Sequence, residues 1–255
     1  DHPDVSIALL TNQSNVLGVM LTIGEGGVID SALAGGIVSG TRRPKGHLVP
    51  QALTSFSGNI DVLTLSCLRI MRVAVHPEVM LKGLGSELVQ AAINKAHQEQ
   101  TDYVAVSYGS NGELDRFWKK NDFSLLRLGY HKDAASGAAS AICAHAVTEH
   151  STDIFKQTER LFFDHFTHGL VRYYQTVPWQ QVDQILTLLP ESKPNISEHD
   201  IKQLSLFSSA YRSENDCSQL LNQLILAGYR SREIGKLEAK GRALLIVRVL
   251  QNKAW

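Results

Sequence analysis

Two glycines, Gly83 and Gly85, lie where a buried strand gives way to a helix, and this arrangement can bind phosphate. Residues 70–75 form an apolar run rich in β-branched side chains, which predicts a buried strand. His76 and Pro77 end it, because proline lacks the N–H donor of the sheet ladder and restricts the residue before it. A helix start attracts anions through its free N–H groups and its dipole, and glycine allows close approach. The pattern therefore predicts a phosphate-binding turn, although a lone G-x-G is also common without one.

The elements on either side must hold this turn in place. After the turn, apolar residues recur at helical spacing and predict one buried helix face: Leu84, Leu88, Ala91, Ala92 and Ala96. Residues 103–108 then predict a second buried strand. A strand, a helix and a strand in this order favour a parallel β-α-β unit, with the glycine turn at the carboxyl end of its first strand.

A second chemically suggestive group is basic. Arg42, Arg43 and Lys45 place three cations within four positions, in a glycine- and proline-containing segment that predicts a loop. Such a loop is either solvated surface or a contact for nucleic-acid phosphates, since arginine and lysine are the usual phosphate ligands. Residues 229–255 are also basic, with seven Lys or Arg against two Glu. The residues themselves leave both interpretations open.

Composition limits what the chain can be. With 255 residues and 44% hydrophobic content, it can bury a full core and has room for two domains. The formal net charge is zero, so a nucleic-acid partner would need locally gathered basic residues. Apolar runs fall short of the roughly 18 residues of a membrane helix and no leader opens the chain, so we expect neither membrane insertion nor secretion. Three cysteines without C-x-x-C predict reduced thiols, and no metal site is expected from them or from ten scattered histidines.

The remaining elements follow in chain order. Residues 5–10 and 16–23 are predicted to form a hairpin, and residues 63–75 the main strand. Residues 123–130 and 139–147 are predicted to form an antiparallel pair, with a polar linker over residues 129–137. Further helices are expected over residues 29–37, 51–56, 113–120, 151–174, 178–189, 197–211 and 216–227, the last ended by Gly228. The change to a helical pattern places a domain boundary near residue 150.

The strand, glycine turn and helix resemble motif A of the GNAT acetyltransferases. In that family the strand splays from its neighbour, its backbone pairs with the pantetheine arm of coenzyme A, and the loop binds the pyrophosphate. Met80 stands where the family usually has Gln or Arg, and Asp122 replaces the usual glycine after a helix whose Leu114, Phe117 and Trp118 are expected to face inward. The resemblance implies an α/β (α+β) fold with a mixed central sheet over residues 1–149, without the family's first strand and helix. A mainly helical domain is expected over residues 150–255.

Several segments further resemble the bacterial tRNA(Met) cytidine acetyltransferases, namely residues 42–49, 72–77, 107–118 and 128–137. The resemblance implies a cytoplasmic enzyme that uses acetyl-CoA to acetylate N4, the exocyclic amine, of the wobble cytidine in elongator tRNA(Met). Members of that family also carry an N-terminal, ATP-hydrolysing, helicase-like module. No G-x-x-x-x-G-K-[S/T] loop occurs here. We therefore expect a portion of a longer protein, in which ATP acts only through that module.

The resemblance also implies a set of site residues. Coenzyme contacts are expected at Val73, Ala74, Val75, Met80, Leu81, Lys82, Gly83, Leu84, Gly85, Ser86, Glu113 and Lys120. The thioester carbonyl needs hydrogen-bond donors, for which the backbone N–H groups near Ala74 and Val75 are candidates. No side chain stands out as the general base, and the candidates are Glu113, His76, Tyr108 and His131, although His76 is more simply the residue that ends the strand. Contacts with RNA phosphates are expected from Arg42, Arg43, Lys45, Arg230, Arg232, Lys236, Lys240 and Arg242.

Two functions from other classes stay open. The same coenzyme fold would serve an enzyme that acetylates a protein lysine or a small amine. The chain could also be a non-catalytic RNA-binding or assembly module that keeps the fold without turnover. Incubation with labelled acetyl-CoA and either tRNA or protein distinguishes the first alternative from a tRNA acetyltransferase. The absence of acetyl-CoA binding would favour the second alternative.

Overall fold

A six-stranded mixed sheet forms the centre of the N-terminal part of the chain. Its strands are β1 (Val5–Asn12), β2 (Asn15–Gly26), β3 (Ser66–Val75), β4 (Tyr103–Gly109), β5 (Ser124–Lys132) and β6 (Ala139–Ala146). They lie in the order β1-β2-β3-β4-β6-β5, with β3 and β4 parallel and the other neighbours antiparallel. The computed structural model describes residues 5–134, 137–193 and 195–254. The mixed sheet, the hairpin and the parallel β-α-β unit confirm the predictions.

Helices cover both faces of the sheet. They are α1 (Ser31–Val38), α2 (Leu48–Ser57), the single turn α3 (Asp61–Thr64), α4 (Leu84–Gln98) and α5 (Gly112–Lys120). On one face of β4, the side chains of Tyr103 and Ala105 pack in a core cluster with residues of α2. Val104 and Val106 alternate with them and are buried on the opposite face, which α4 covers. Residues 103–106 are buried on both sides of the sheet, which explains why this part of β4 carries no polar side chain except the Tyr103 hydroxyl.

Several element boundaries differ from the predictions. β3 begins at Ser66 and not at residue 63, because residues 61–64 form the turn α3 before the chain extends at Leu65. β5 continues to Lys132, so the predicted linker over residues 129–137 begins as paired strand. The two residues at 135 and 136 of that linker lie outside the described residues.

Two helix faces are rotated from those predicted. In α4, Ala91 is exposed, and Val89 and Ile93 are buried instead, because the buried stripe follows the sheet contacts. In α5, Leu114 is 38% exposed and Asp115 is buried in its place. The pattern of apolar residues could not indicate that a polar residue, Asp115, lies on the inner face of this short helix.

The C-terminal part of the chain is helical, as predicted. One compact unit ends at Phe162, and a second begins at Phe163, within the helix α6. The helices are α6 (Glu149–Gly169), α7 (Trp179–Leu186), α8 (Glu198–Ser208), α9 (Glu214–Arg230) and α10 (Ala239–Leu244), with a 3-10 turn over Glu233–Lys236 and a π-helical segment over Leu245–Leu250.

The ends of these helices show which local signals held. The capping box of Ser197 and Asp200 is present, with both reciprocal hydrogen bonds. Gly228 does not end α9, which continues to Arg230, because the glycine packs against Ile234 and needs no left-handed backbone there. The helix α6 ends at Gly169, short of the predicted residue 174.

Three further findings concern the described part of the chain only. Cys67, Cys143 and Cys217 are buried and form no disulfide. No cluster of three or more His, Cys, Asp or Glu side chains suited to a metal ion occurs among the residues that the structure describes. Across the same residues, none of the helices combines the length and the apolar character that crossing a membrane requires.

Candidate functional site

The parallel strands β3 and β4 separate halfway along their length. Their pairing runs from Cys67 opposite Tyr103 to Ile70 opposite Val106. Beyond that point, residues 72–75 pair only with β2 and residues 107–109 pair only with β6. The facing edges of the two strands therefore open, and their backbone N–H and C=O groups are available to a molecule inserted between them.

A β-bulge explains why the strands diverge at this point. Leu21 of β2 lies opposite Arg72 and Thr22 lies opposite Ile70, so Met71 is an extra residue in β3. A bulge bends its strand and increases the local twist. It occurs directly after the last β3–β4 pair, so it turns the end of β3 away from β4.

The glycine turn lies at the end of this diverging strand. A 3-10 turn over Pro77–Val79 leads to Gly83, which caps α4 with a left-handed backbone at φ 90°. The N–H groups of Ser86 and Glu87 donate to the Gly83 carbonyl at 2.9 and 3.1 Å. Among the described residues, the N–H groups of Leu84 and Gly85 have no hydrogen-bond partner, so they are free to bind an anion.

The two glycines meet different physical requirements. A β-carbon on Gly83 would meet no atom within 4 Å, so glycine serves its positive φ. A β-carbon on Gly85 would lie 3.3 Å from Cε2 of Phe117, so glycine there allows the aromatic ring to pack on the helix start. Glu113 and Lys120 lie on the same face of α5 as Phe117, four residues before it and three after it. The structure thus directs that face toward the glycine turn.

The loop before the turn is exposed. Met80 is 53% exposed, and Leu81, which also has a positive φ of 61°, is fully exposed. Lys82 is exposed as well. Leu81, an apolar side chain held in solvent on a left-handed backbone, is suited to covering a ligand.

Tyr108 is held in a buried polar cluster. Its hydroxyl donates to Oδ1 of Asp115 at 2.9 Å and lies 3.4 Å from Sγ of Cys143. The hydroxyl of Ser110 donates to both oxygens of Asp115 at 2.9 Å. Burial, reinforced by the neighbouring Cys143 and Asp115, raises the pKa of Tyr108 far above its usual range. The phenol therefore stays protonated and ties β4 to α5, and sequence reasoning missed Asp115 because its burial depends on the tertiary fold.

The other three base candidates are differently placed. The backbone N–H of His76 donates to Leu17 at 2.8 Å, and its Nδ1 accepts from the N–H of Glu78 at 3.4 Å, as expected of a residue that ends a strand. Glu113 is exposed in the first turn of α5. His131 is exposed near the end of β5. His76 is exposed as well, so these three candidates present solvent-facing groups that a substrate proton could reach directly, whereas Tyr108 does not.

The basic residues fall into two environments. Arg42, Arg43 and Lys45 are exposed on the loop between α1 and α2. In the tail, several of the predicted RNA contacts already have carboxylate partners: Arg232 with Glu191 at 3.0 Å, Lys236 with Glu233 at 2.6 Å and Arg242 with Asp183 at 3.1 Å. Lys240 is exposed and Arg230 is half-buried.

Comparison with known proteins agrees with this geometry. Residues 5–95, which extend from β1 almost to the end of α4, match the family described as GNAT acetyltransferase 2. The chain carries a GNAT acetyltransferase domain. The diverging strands and the glycine turn are thus the GNAT features that the sequence predicted.

Relatives extend the likeness beyond that domain. The tRNA(Met) cytidine acetyltransferase TmcA of Nitrosococcus halophilus is 32% identical over 260 residues, covering 100% of this chain and 34% of the relative. TmcA of Vibrio cholerae is 34% identical over 242 residues, covering 94% of this chain and 32% of the relative. The resemblance to the bacterial tRNA(Met) cytidine acetyltransferases is confirmed, and the chain spans about a third of the length of these curated relatives.

Among solved structures, Arabidopsis thaliana NAA60 in complex with acetyl-CoA aligns with 57% of this chain and 78% of its own, at 12% identity and a TM-score of 0.40. The ribosomal-protein-S18-alanine N-acetyltransferase from Escherichia coli aligns with 58% and 72%, at 11% identity and a TM-score of 0.38. At such low identity and TM-score, neither likeness bears on the function of this chain.

Proposed function

We propose that this chain transfers the acetyl group of acetyl-CoA to N4 of the wobble cytidine in elongator tRNA(Met). The observation that carries the proposal is the opening between β3 and β4 beside the glycine turn, in a chain that aligns over its whole length with a tRNA(Met) cytidine acetyltransferase. A tRNA substrate would place the activity in the cytoplasm. In the whole protein, ATP would act through a further, helicase-like module.

The residues present fit the coenzyme. The free N–H groups of Leu84 and Gly85 would bind pyrophosphate oxygens, and the open edge of residues 73–75 would pair with the amides of the pantetheine arm. Residues 80–86 would line the loop side, and Glu113 and Lys120 the α5 side. Bound there, acetyl-CoA would supply the acetyl group as a thioester.

The chain's own residues would then act mainly by positioning. The amino lone pair of cytosine is delocalised into its ring, so attack on a carbonyl requires close and oriented approach. The backbone N–H groups near Ala74 and Val75 would stabilise charge on the carbonyl oxygen. Exposed His76, Glu113 and His131 would be the candidates to accept the amine proton, whereas Tyr108 holds α5 in place through Asp115.

RNA contacts would come from basic residues that do not already form an ion pair with a carboxylate of the protein. Arg42, Arg43 and Lys45 on the α1–α2 loop meet this condition, and so do Arg230 and Lys240 in the tail. Arg232, Lys236 and Arg242 would contribute to RNA binding only at the expense of their carboxylate partners.

A single added charge tests the coenzyme site without harming the fold. Ser86→Asp places a carboxylate beside the open N–H groups, where it stabilises the helix start but repels a phosphate. We expect acetyl-CoA affinity to fall at least about tenfold in calorimetry, with no fall in the melting temperature. Asn94→Asp adds the same charge on the exposed side of α4, two turns further along, and is the matched control. Equal affinities in the two variants would place the coenzyme elsewhere.

Transfer of labelled acetyl from acetyl-CoA tests the acceptor. Methionine tRNA with cytidine at the wobble position should become labelled, and the same tRNA with uridine there should not, because uridine lacks the amine. Label appearing in protein lysines or small amines, and in neither RNA, would support the alternative acetyltransferase. Coenzyme binding without any transfer would support a non-catalytic module.

A further inference from the structure

A cavity of about 390 Å³ lies between the α1–α2 loop and the strand β5. Three arginine side chains line it: Arg42 and Arg43 come from the loop, and Arg127 comes from β5, more than eighty residues later in the chain. Gln51 and Ser55 of α2 complete its polar lining. Sequence reasoning singled out the loop arginines but gave no reason to associate Arg127 with them.

A β-bulge directs Arg127 into this cavity. Leu125 pairs with Cys143 and Arg127 pairs with Ile142, so Leu126 is an extra residue in β5. At a bulge two successive side chains can point to the same side of the sheet. Leu126 packs in the core beneath α2, and Arg127 follows it to that side, where its Nη1 donates to the Ala52 carbonyl at 3.0 Å.

The loop that carries the other two arginines is also fixed. The N–H of Arg42 donates to the Gly36 carbonyl at 2.9 Å, and Nε2 of Gln51 donates to the Pro44 carbonyl at 2.6 Å. A β-carbon on Gly36 would lie 2.9 Å from Cγ of Arg42, so the missing side chain is what lets the arginine stem pack on α1. Hydrogen bonds to α1 and α2 therefore fix the backbone that carries the guanidinium groups of Arg42 and Arg43.

The charges in this cavity are not neutralised. None of the described residues that line it is acidic. Within the described part of the chain, Arg42 and Arg43 form no ion pair, and the one hydrogen bond of the Arg127 side chain is to a neutral carbonyl. Three guanidinium groups with planar donor forks, lining one cavity, fit a phosphate oxyanion.

We propose that this cavity binds one backbone phosphate of the RNA acceptor, shared by Arg42, Arg43 and Arg127. The proposal rests on the proposed function. Ile142 pairs on one side with Arg127 and on the other with Ser107, the first residue of β4 beyond its pairing with β3. The cavity thus lies level with the opening of the sheet, where a phosphate contact would orient a nucleotide toward the thioester.

The salt dependence of tRNA binding tests whether one phosphate is shared. The variants are Arg127→Gln and the triple variant that also carries Arg42→Gln and Arg43→Gln. Arg160→Gln is the matched control, since Arg160 is an exposed arginine of α6 that neither lines the cavity nor belongs to the proposed RNA contacts, and its slope should not change. We expect the triple variant to lose about one unit from the slope of log K against log salt, and roughly tenfold or more in affinity. A loss of about three units would mean separate surface contacts, and an unchanged slope would mean no contact; either result overturns the proposal.

Two further experiments are needed. The first tests whether the position of the arginines matters as well as their charge, and the second tests whether the cavity binds RNA or the coenzyme. Gly36→Ala displaces the Arg42 stem and keeps every charge, so tRNA affinity should fall while the circular dichroism spectrum and melting temperature stay near those of the wild type. Calorimetry with acetyl-CoA should be unaffected by Arg127→Gln. A loss of acetyl-CoA affinity, with the tRNA slope intact, would assign the cavity to a coenzyme phosphate and overturn the RNA assignment.

The failure of this proposal differs from failure of the proposed function. A wild-type chain that binds and acetylates methionine tRNA, with a triple variant that keeps the full salt slope, overturns only the shared phosphate site. A wild-type chain that binds no tRNA overturns both. Replacing single anticodon-loop phosphates with neutral methylphosphonates adds a direct check: one position should weaken wild-type binding and leave binding by the triple variant unaffected.

Discussion

The two basic regions of this protein use arginine in opposite ways. On the α1–α2 loop, Arg42 and Arg43 face a cavity without an acidic residue among its described lining. In the tail, Arg232 and Arg242 are bound to carboxylates and carbonyls of their own unit. Both regions look alike as runs of cations in the sequence, and only the partner of each side chain separates them.

The tail arginines hold the helix α7 in place. Arg232 donates to the carbonyls of Thr187 and Leu189 at 2.8 and 3.1 Å, which satisfies groups left unpaired after the helix ends. Arg242 pairs with Asp183 of α7, whose other carboxylate oxygen accepts from the Tyr229 hydroxyl at 2.6 Å. Burial and this carboxylate raise the pKa of Tyr229, so the phenol remains a donor. These contacts are structural whether or not RNA is present.

The largest effect that would sharpen this comparison is on stability. Arg242→Ala leaves the mostly buried carboxylate of Asp183 with only its tyrosine partner, so we expect the free energy of unfolding to fall by about 2 kcal/mol. Arg42→Ala, its counterpart on the loop, should change stability by less than about 0.5 kcal/mol. Urea denaturation followed by circular dichroism measures both. A loop variant that destabilises as much as Arg242→Ala would remove the distinction.

A smaller effect is expected at Arg232, whose backbone has a positive φ of 65°. Arg232→Ala loses the carbonyl contacts and keeps the strained backbone, so stability should fall by about 1 kcal/mol. Arg232→Gly loses the same contacts but relieves the backbone, so it should be the more stable of the two variants. The same urea experiment ranks them. If alanine proved the more stable replacement, the left-handed conformation would not be a cost at this position.

Local signals allowed much of the fold to be predicted. The period-2 and period-3.6 patterns of the hairpin and of α4 are properties of neighbouring residues, and the structure follows them. The fit of the strand–glycine–helix segment to a family pattern also predicted the divergence of β3 from β4. Even the departure at Asp122 has a physical basis, since it occupies a positive φ of 61° where the family usually has glycine.

The parts that could not be predicted depend on strand pairing. The bulges at Met71 and Leu126 are properties of two strands in register, so neither sequence alone reveals them. One opens the sheet and the other directs Arg127 toward the loop arginines. For the same reason the burial of Asp115, and with it the role of Tyr108, became visible only once β4 and α5 were packed.

The smallest expected effect concerns carboxylates, which also differ in whether they have a charged partner. Glu159 of α6 is partly buried and, unlike Asp183, has a hydroxyl and not a cation as its identified partner. Burial raises its pKa, and the hydrogen bond from Ser124 opposes that shift only in part. The folded state therefore binds the Glu159 proton more tightly than the unfolded state does. The stability contributed by this proton is fully present below the unfolded pKa and is lost as the pH rises through the folded pKa.

Glu159→Gln is neutral at every pH, so it should be slightly more stable than the wild type at about pH 7 and no more stable at about pH 4, near the ordinary pKa of glutamate. Paired urea titrations at the two pH values measure this difference. Asp153→Asn on the same helix is the control, because Asp153 is exposed beside Lys156 and its neutralisation should give no gain at pH 7. A stability gain for Glu159→Gln that is equal at both pH values would show that packing, and not an unpaired carboxylate, is what the substitution changes.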